Sequence, residues 1–416
     1  MIFTNVKDLY LMQSILGKSP LQGTERIPCD KELRGKRKLE LLDIFSSIVN
    51  GDNTCTACFL DGDTMYISVN EQDDIESTKK FAEKFLSQLK TLLRNFSILE
   101  SNNILNSILI RNIGTISKYI TYKQAKTLVK YSNYIREKKL NSAFIDRVIK
   151  KDLIEENIFE YVREADELYD SIRVIDGDKE LLLYLRKVCY IRWYYIKLVR
   201  CMKRFSKLGL TTFSSISHIF AVPCIKGISP VTITSNAGQF LTNLIDKFIG
   251  DEKSLNNTNK ICMYMNMQLE DDIYDKVSNL EISDDQINME YKGQMHAEIS
   301  LVCFLLENSM NHGEIGTSKL CCAPCCMFIE MLARRNLAEF SKSGSHGKCY
   351  PSWIFPIPKQ VFREDFNLII EDITTMIFAY YIKRSITKQY VDMQTDVEID
   401  SQTYNSDTEE FEQIVF

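Results

Sequence analysis

The chain has 416 residues, of which 45% are hydrophobic, 26% charged and 11% aromatic, and its net charge is −5. This composition is typical of a folded globular protein and excludes a chain that is disordered over most of its length. The length exceeds that of most single domains, so we expect at least two structural units. The small net charge excludes no class of partner.

The first twenty residues lack the basic stretch, apolar run and small-residue cleavage site of a secretory signal. A helix that crosses a bilayer needs about twenty consecutive apolar residues, and no segment has such a run. We therefore predict a cytoplasmic protein with no membrane partner, although delivery into a host cell is compatible with this sequence. In such a compartment the thirteen cysteines are expected to be reduced core residues, metal ligands or catalytic groups. Four are predicted to be small core residues: Cys189, Cys201, Cys262 and Cys303.

The N-terminal part of the chain predicts a helix followed by a hairpin. Residues 31–50 have an apolar face at helical spacing, which ends at Gly51-Asp52-Asn53. Two β-prone runs, 54–60 and 64–69, flank the turn residues Asp61-Gly62-Asp63. From about residue 75 to about 208, apolar residues recur at three and four positions, which predicts several helices.

The C-terminal part mixes helical and strand patterns, whereas residues 209–291 give no clear pattern. We predict helices at 296–308, 323–335 and 363–384 and strands at 316–320 and 340–348. From Asp392 to Glu412 there are eight acidic side chains and no basic one, which favours a solvated tail.

Two short motifs combine the residue types of a zinc-dependent hydrolytic site. His296-Ala297-Glu298 is followed by Cys322-Ala323-Pro324-Cys325. Two cysteines three positions apart at a helix start project their sulfurs to one side, where the positive end of the helix favours thiolates. One histidine and two thiolates leave a fourth position on Zn²⁺ for water, and a neighbouring carboxylate that is not a ligand can move protons.

Other interpretations of these residues remain open. A His-x-Glu pair recurs by chance on helices, and a Cys-x-x-Cys pair also serves as a redox pair or as half of a structural zinc site. In that last case Cys321 or Cys326 would supply a fourth ligand. The alternative function is therefore a non-catalytic interaction protein, in which the zinc site is structural and the helical block mediates protein contacts.

The two motifs, together with Ser345-His346-Gly347-Lys348 and the early segment TCTACFLDGDTMYISVN, resemble a branch of the cytidine deaminase-like superfamily known from fungi and intracellular bacteria. The resemblance implies a three-layer α/β fold with a mixed sheet between helices. It also implies zinc ligands at His296, Cys322 and Cys325, a proton-shuttling Glu298, and substrate contact by Asn70. His346 and Lys348 are further predicted substrate contacts, and the alternatives are a turn histidine and a solvated charge at the end of a strand. One departure is that Pro324 lies between the cysteines, whereas the commoner motif places proline before the first one.

This resemblance implies a deaminase of a base in a nucleoside, nucleotide or single-stranded nucleic acid, and assembly into an oligomer is compatible with it. A toxin or effector is also compatible with this class, although no residue demands it. The domains are then predicted as an extension at 1–30, core segments at 31–72 and 292–388, a large all-α insertion at 73–291 and a tail at 389–416. The core would be discontinuous.

The helical insertion is rich in basic residues. Between Lys79 and Lys151 there are sixteen Lys or Arg and four Asp or Glu, and between Arg186 and Lys207 there are eight basic residues and no acidic one. Basic side chains interleaved with aromatic ones are typical of nucleic-acid binding. Amphipathic helices that bury their aromatics produce the same pattern, and we favour that interpretation.

Overall fold

The computed structural model describes residues 36–52, 54–70, 75–121, 124–150, 153–175, 179–207, 214–223, 231–236, 281–283, 286–291, 293–347, 350, 353–355, 369–370, 372–373 and 376. The predicted extension at 1–30 and tail at 389–416 lie outside these ranges, as do Cys262 and Lys348. Of the predicted terminal helix, only Ile369, Ile370, Asp372, Ile373 and Met376 are described, and these residues are helical.

The described residues form ten helices and eight strands. The helices are α1 (Lys36–Val49), α2 (Ile75–Arg94), α3 (Ile98–Arg111), α4 (Ile113–Thr121), α5 (Gln124–Glu137), α6 (Ala143–Lys150), α7 (Ile158–Val174), α8 (Lys179–Lys207), α9 (Ala297–Glu307) and α10 (Ala323–Arg334). The strands are β1 (Thr56–Asp61), β2 (Thr64–Val69), β3 (His218–Ala221), β4 (Val231–Asn236), β5 (Glu281–Ser283), β6 (Gln286–Tyr291), β7 (His312–Thr317) and β8 (Glu339–Ser341). Within the described ranges, none of the helices is long and apolar enough to cross a lipid bilayer.

The main sheet is mixed and has the strand order β3-β2-β1-β7-β8. The hairpin predicted from the sequence is confirmed, since β1 and β2 pair antiparallel with Asp61 opposite Thr64. β7 lies antiparallel to β1 on its other side, whereas β3 and β8 extend the two edges as parallel strands. Strands β4, β6 and β5 form a separate antiparallel sheet.

Helices cover both faces of the main sheet, which gives the three-layer α/β fold expected from the sequence. Alternate residues of β1 belong to different cores: Ala57 and Phe59 pack with α9 and α10, whereas Cys58 and Leu60 pack with α1 and the helices that follow β2. The buried run from Thr56 to Leu60 reflects this double coverage, because a strand between two helical layers has no solvated face.

The segment between the two parts of the sheet is helical through Lys207, as predicted. Seven helices, α2 to α8, share one apolar core with α1, in which Cys189 is fully buried. Strands β3 to β6 then follow, and β3 joins the main sheet beside β2. The division into an insertion and a discontinuous core stays a prediction, whereas the pairing of β1 with β7 places the two predicted core segments in one sheet.

Two strands differ in position from the sequence prediction. The strand predicted at 316–320 lies at His312–Thr317, where its exposed and half-buried first half hides the strand pattern. The strand predicted at 340–348 ends at Ser341. Gly344 and Gly347 have φ values of 106° and 71°, and a backbone in this region cannot continue an extended strand.

Candidate metal centre

The start of α9 places a histidine and a glutamate on the same side of the helix. His296 is the N-cap residue of α9, with φ −80° and ψ 146°, and Glu298 lies in the first turn. Helix α9 is buried nearly all round, because it packs on β1 and β2 within the core. Glu298 is 7% exposed, and its Oε1 lies 3.9 Å from Nδ1 of His296.

The start of α10 supplies two sulfurs. Cys322 is the N-cap residue, and its Sγ accepts the N–H of Cys325 at 3.5 Å. Pro324 occupies the first turn, where the missing N–H has no intrahelical partner to lose. The two sulfurs lie 3.2 Å apart, which confirms the expectation that they project to one side of the helix.

These four side chains converge on one point. Nδ1 of His296 lies 3.4 Å from Sγ of Cys322 and 3.3 Å from Sγ of Cys325. The ligand atoms of His296, Glu298, Cys322 and Cys325 all lie within 4.8 Å of one another, a group that could hold a metal ion. A tetrahedral ion with ligand distances of about 2.3 Å to sulfur would hold two sulfurs about 3.8 Å apart, so the observed pair needs to open by about half an ångström. One imidazole and two thiols are a donor set that fits zinc.

The charges of the cluster favour a thiolate next to an imidazolium. Burial raises the pKa of Cys322, but hydrogen bonding from the Cys325 thiol and the positive charge of His296 bring it down to about 6. Burial lowers the pKa of His296, but the Cys322 thiolate raises it to about 9. Burial, together with the neighbouring Cys322 thiolate, raises the pKa of Cys325 well above its usual value.

The cysteines adjacent to the pair point elsewhere. Sγ of Cys326 donates to Oε1 of Glu330 at 3.2 Å, and burial raises its pKa to about 12. Burial also raises the pKa of the Cys321 thiol well above its usual value. Among the described residues, neither sulfur joins the group of four ligand atoms. A closed site with a fourth cysteine would need a rearrangement of one of these side chains.

Asn70 and His346 form hydrogen bonds with residues that lie close in sequence to members of this group. Asn70 follows β2, where its Oδ1 accepts the N–H of Cys55 at 2.7 Å and its carbonyl accepts Nε2 of Gln294 at 3.4 Å. The N–H of His346 donates to the carbonyl of Cys321 at 3.0 Å. Their predicted contacts with substrate stay predictions.

Two aromatic residues at the site were missed by sequence reasoning. The ring of Tyr350 contacts the rings of both His296 and His346, with its centroid 5.7 Å from each. Trp353 is fully buried and donates its indole N–H to Sγ of Cys325 at 3.0 Å. A buried tryptophan needs an acceptor for its N–H, so a tryptophan close in sequence to the cysteine motif was an available signal.

The comparisons with known proteins agree with this geometry. A family model described as OTT_1508-like deaminase matches residues 295–357. This segment is deaminase-like. It begins one residue before His296 and includes α9, α10 and Trp353. No curated protein and no solved structure matches the chain.

The aromatic residues of the helical block are held by contacts with other residues of that block. Tyr195 is fully buried, and its hydroxyl lies 3.0 Å from that of Ser101. Nε1 of Trp193 donates to Asp166 at 2.6 Å, and the same carboxylate pairs with Arg192. These contacts support the interpretation of the α8 aromatics as core residues.

Proposed function

We propose that this protein is a zinc-dependent hydrolytic deaminase that acts on the amine of a nucleobase. The observation that carries the proposal is the convergence of one imidazole, two sulfurs and a carboxylate within 4.8 Å, inside a segment that matches a deaminase family. His296, Cys322 and Cys325 would hold Zn²⁺ and leave its fourth position open. Zinc, when bound, supplies the Lewis acid that makes water a nucleophile near neutral pH.

Glu298 performs the proton transfers in this proposal. It is 7% exposed and lies beside the three ligands, so its carboxylate can take a proton from the attacking water. It gives this proton to the ring nitrogen, then takes the second proton from the hydroxyl that has added to the ring carbon and gives it to the departing amine, which leaves as ammonia. A purely structural zinc site has no use for a carboxylate at this place. The positive end of α10 stabilises the two thiolates.

The proposed substrate is a cytosine or adenine base in a nucleoside, a nucleotide or a single-stranded nucleic acid. Asn70, His346 and Lys348 are proposed to contact it. A base in a duplex would have to be extruded before its amine reached the buried carboxylate.

Ammonia release tests this function. The zinc-loaded protein would be offered cytidine, deoxycytidine, their monophosphates, adenosine, and single-stranded DNA and RNA. We expect release from one of these, reduced about 100-fold or more in Glu298→Ala. Glu307→Ala changes an exposed carboxylate on the same helix and should retain full release.

Two results would contradict the proposal. One is equal release by the wild type and Glu298→Ala, which would remove the proton-transfer role. The other is no release from any of these substrates by a protein that holds one zinc ion, which would favour the alternative of a structural zinc site in a deaminase-like fold.

A further inference from the structure

The indole of Trp353 is in direct contact with one sulfur of the metal centre. Trp353 has 0% exposure, and its Nε1 lies 3.0 Å from Sγ of Cys325. An indole nitrogen is a donor only, so the hydrogen of this contact belongs to the tryptophan and the sulfur accepts it. A buried N–H without an acceptor is destabilising, so the indole and the sulfur position each other.

The backbone that carries Trp353 is attached to the segment that leads into His296. Trp353 forms a parallel bridge with Gln294, and the N–H of Ile354 donates to the carbonyl of Gln294 at 3.4 Å. The indole and the ring of Phe355 pack edge to face, with ring centroids 6.1 Å apart at an angle of 73°. The segment that leads into His296 therefore also fixes the direction of the indole N–H.

Apart from the imidazole of His296 and the neighbouring thiol, the two sulfurs accept different donors. Cys322 accepts a backbone N–H, that of Cys325, at 3.5 Å. Cys325 accepts a side-chain N–H at the shorter distance of 3.0 Å. A hydrogen-bond donor to a thiolate draws electron density from the sulfur and reduces the charge that the sulfur donates to a metal. The metal is then a stronger Lewis acid.

We propose that Trp353 is a positioning residue of the metal centre, whose indole N–H orients the Cys325 sulfur and limits the charge that this sulfur donates to the ion. This inference rests on the proposed function, since it assumes that Cys325 is a ligand. An apolar side chain of similar size would fill the same volume without limiting the charge that the sulfur donates to the ion. The packing role and the electronic role are therefore separable by experiment.

The experiment replaces zinc with Co²⁺ and records the absorption of the cobalt–thiolate charge-transfer band. Trp353→Phe removes the N–H and keeps an aromatic ring. Incorporation of 3-benzothienylalanine at position 353 keeps the two-ring shape and exchanges the N–H for sulfur, which guards against a variant that fails to fold. Phe355→Leu is the packing control, because Phe355 touches the indole and is 1% exposed.

We expect both donor-deleted proteins to move the charge-transfer band to longer wavelength, because the sulfur electrons are held less tightly. We also expect their zinc affinity to fall about tenfold. Phe355→Leu should unfold at lower urea concentration and leave the band in place.

A band that stays in place in both donor-deleted proteins would overturn the electronic role of Trp353 and leave the metal centre intact. A wild-type protein without any cobalt–thiolate band would overturn the metal centre and this role together. Ammonia release is not needed for either result.

Discussion

The main-chain nitrogen of Thr56 donates to the hydroxyl oxygen of Ser318 at 2.9 Å, although 262 positions separate the two residues. The N–H of Ser318 donates back to the carbonyl of Thr56 at 2.9 Å. This pair extends the ladder between β1 and β7 by one residue beyond Ala57 and Thr317. Ser318 lies four positions before Cys322, so the early hairpin supports the segment that leads to Cys322 and Cys325.

Close contact between β7 and α1 makes Gly316 a sensitive position. A Cβ at Gly316 would lie 2.3 Å from the carbonyl carbon of Leu42, which is backbone and cannot move aside. We expect Gly316→Ala to lower the free energy of unfolding by about 3 kcal/mol or more. Urea unfolding measures this change.

Gly62 provides the comparison. It has a φ of 56° and no atom within 4 Å of a built Cβ, so Gly62→Ala should cost about 1 kcal/mol from backbone strain alone. An equal cost for the two variants would contradict the close packing of β7 on α1.

Asp43 makes stability depend on pH. Its carboxyl accepts the N–H of Thr317 at 2.7 Å and the hydroxyl of Ser343, and burial raises its pKa from 3.8 to about 7. The unfolded chain ionises this group near pH 3.8 while the folded protein keeps the proton, so stability falls as the pH rises from about 4 to 7. We expect a loss on the order of 2 kcal/mol, less than the full shift implies, because Asp43 is partly exposed.

Asp43→Asn should remove this part of the pH dependence. The amide keeps an acceptor for Thr317 and donates to the Ser343 hydroxyl, so the fold is expected to tolerate it. Urea unfolding at pH 4, 5.5 and 7 gives the slope, with Asp61→Asn as a control on an exposed carboxylate. The same slope in wild type and Asp43→Asn would count against a protonated Asp43 in the folded protein.

Zinc binding should release protons at neutral pH. At pH 7 the imidazole of His296, with a pKa of about 9, and the thiol of Cys325 carry protons, whereas Cys322, with a pKa of about 6, is ionised. All three must lose their protons to bind a metal, so we expect about two protons per zinc and an affinity that rises about 100-fold per pH unit near pH 7. Calorimetry in buffers of different ionisation enthalpy counts the protons, and an affinity independent of pH would refute the assignment.

The zinc content of cysteine and histidine variants distinguishes a centre with an open fourth position from a site closed by a fourth cysteine. We expect His296→Ala, Cys322→Ser and Cys325→Ser to lose most of their zinc, because each removes one of three protein ligands. Cys326→Ser should retain one zinc per chain, since the Cys326 sulfur is directed to Glu330. Elemental analysis of the purified variants measures this. Loss of zinc from Cys326→Ser would support a structural site.

The sequence predicted the grouping of His296, Glu298, Cys322 and Cys325 better than it predicted the surrounding sheet. These residues lie in two short motifs, and the helix starts at His296 and Cys322 orient them by local geometry alone. The predicted position of β7 was wrong, because half-buried polar residues at the start of this strand hide its alternation of apolar and polar residues. The hairpin at Gly62 was predicted because its turn residues are local.

Contacts between distant segments could not be predicted from the spacing of residues along the sequence. The bond from Trp353 to Cys325 spans 28 positions, and its formation depends on how the segment after β8 returns to Gln294. The placement of Tyr350 against His296 depends on the same return. Parallel pairing of β3 with β2 requires the whole helical block to fold between them, which no local pattern encodes.

The proposed zinc centre has two sulfur ligands and an open fourth position beside Glu298. X-ray absorption at the zinc edge of the loaded protein distinguishes this open centre from a closed one. We expect two sulfurs at about 2.3 Å and two nitrogen or oxygen ligands at about 2.0–2.1 Å, one of them from solvent. Three or four sulfurs around the ion would contradict it, because Cys321 or Cys326 would then close the position that the reaction needs.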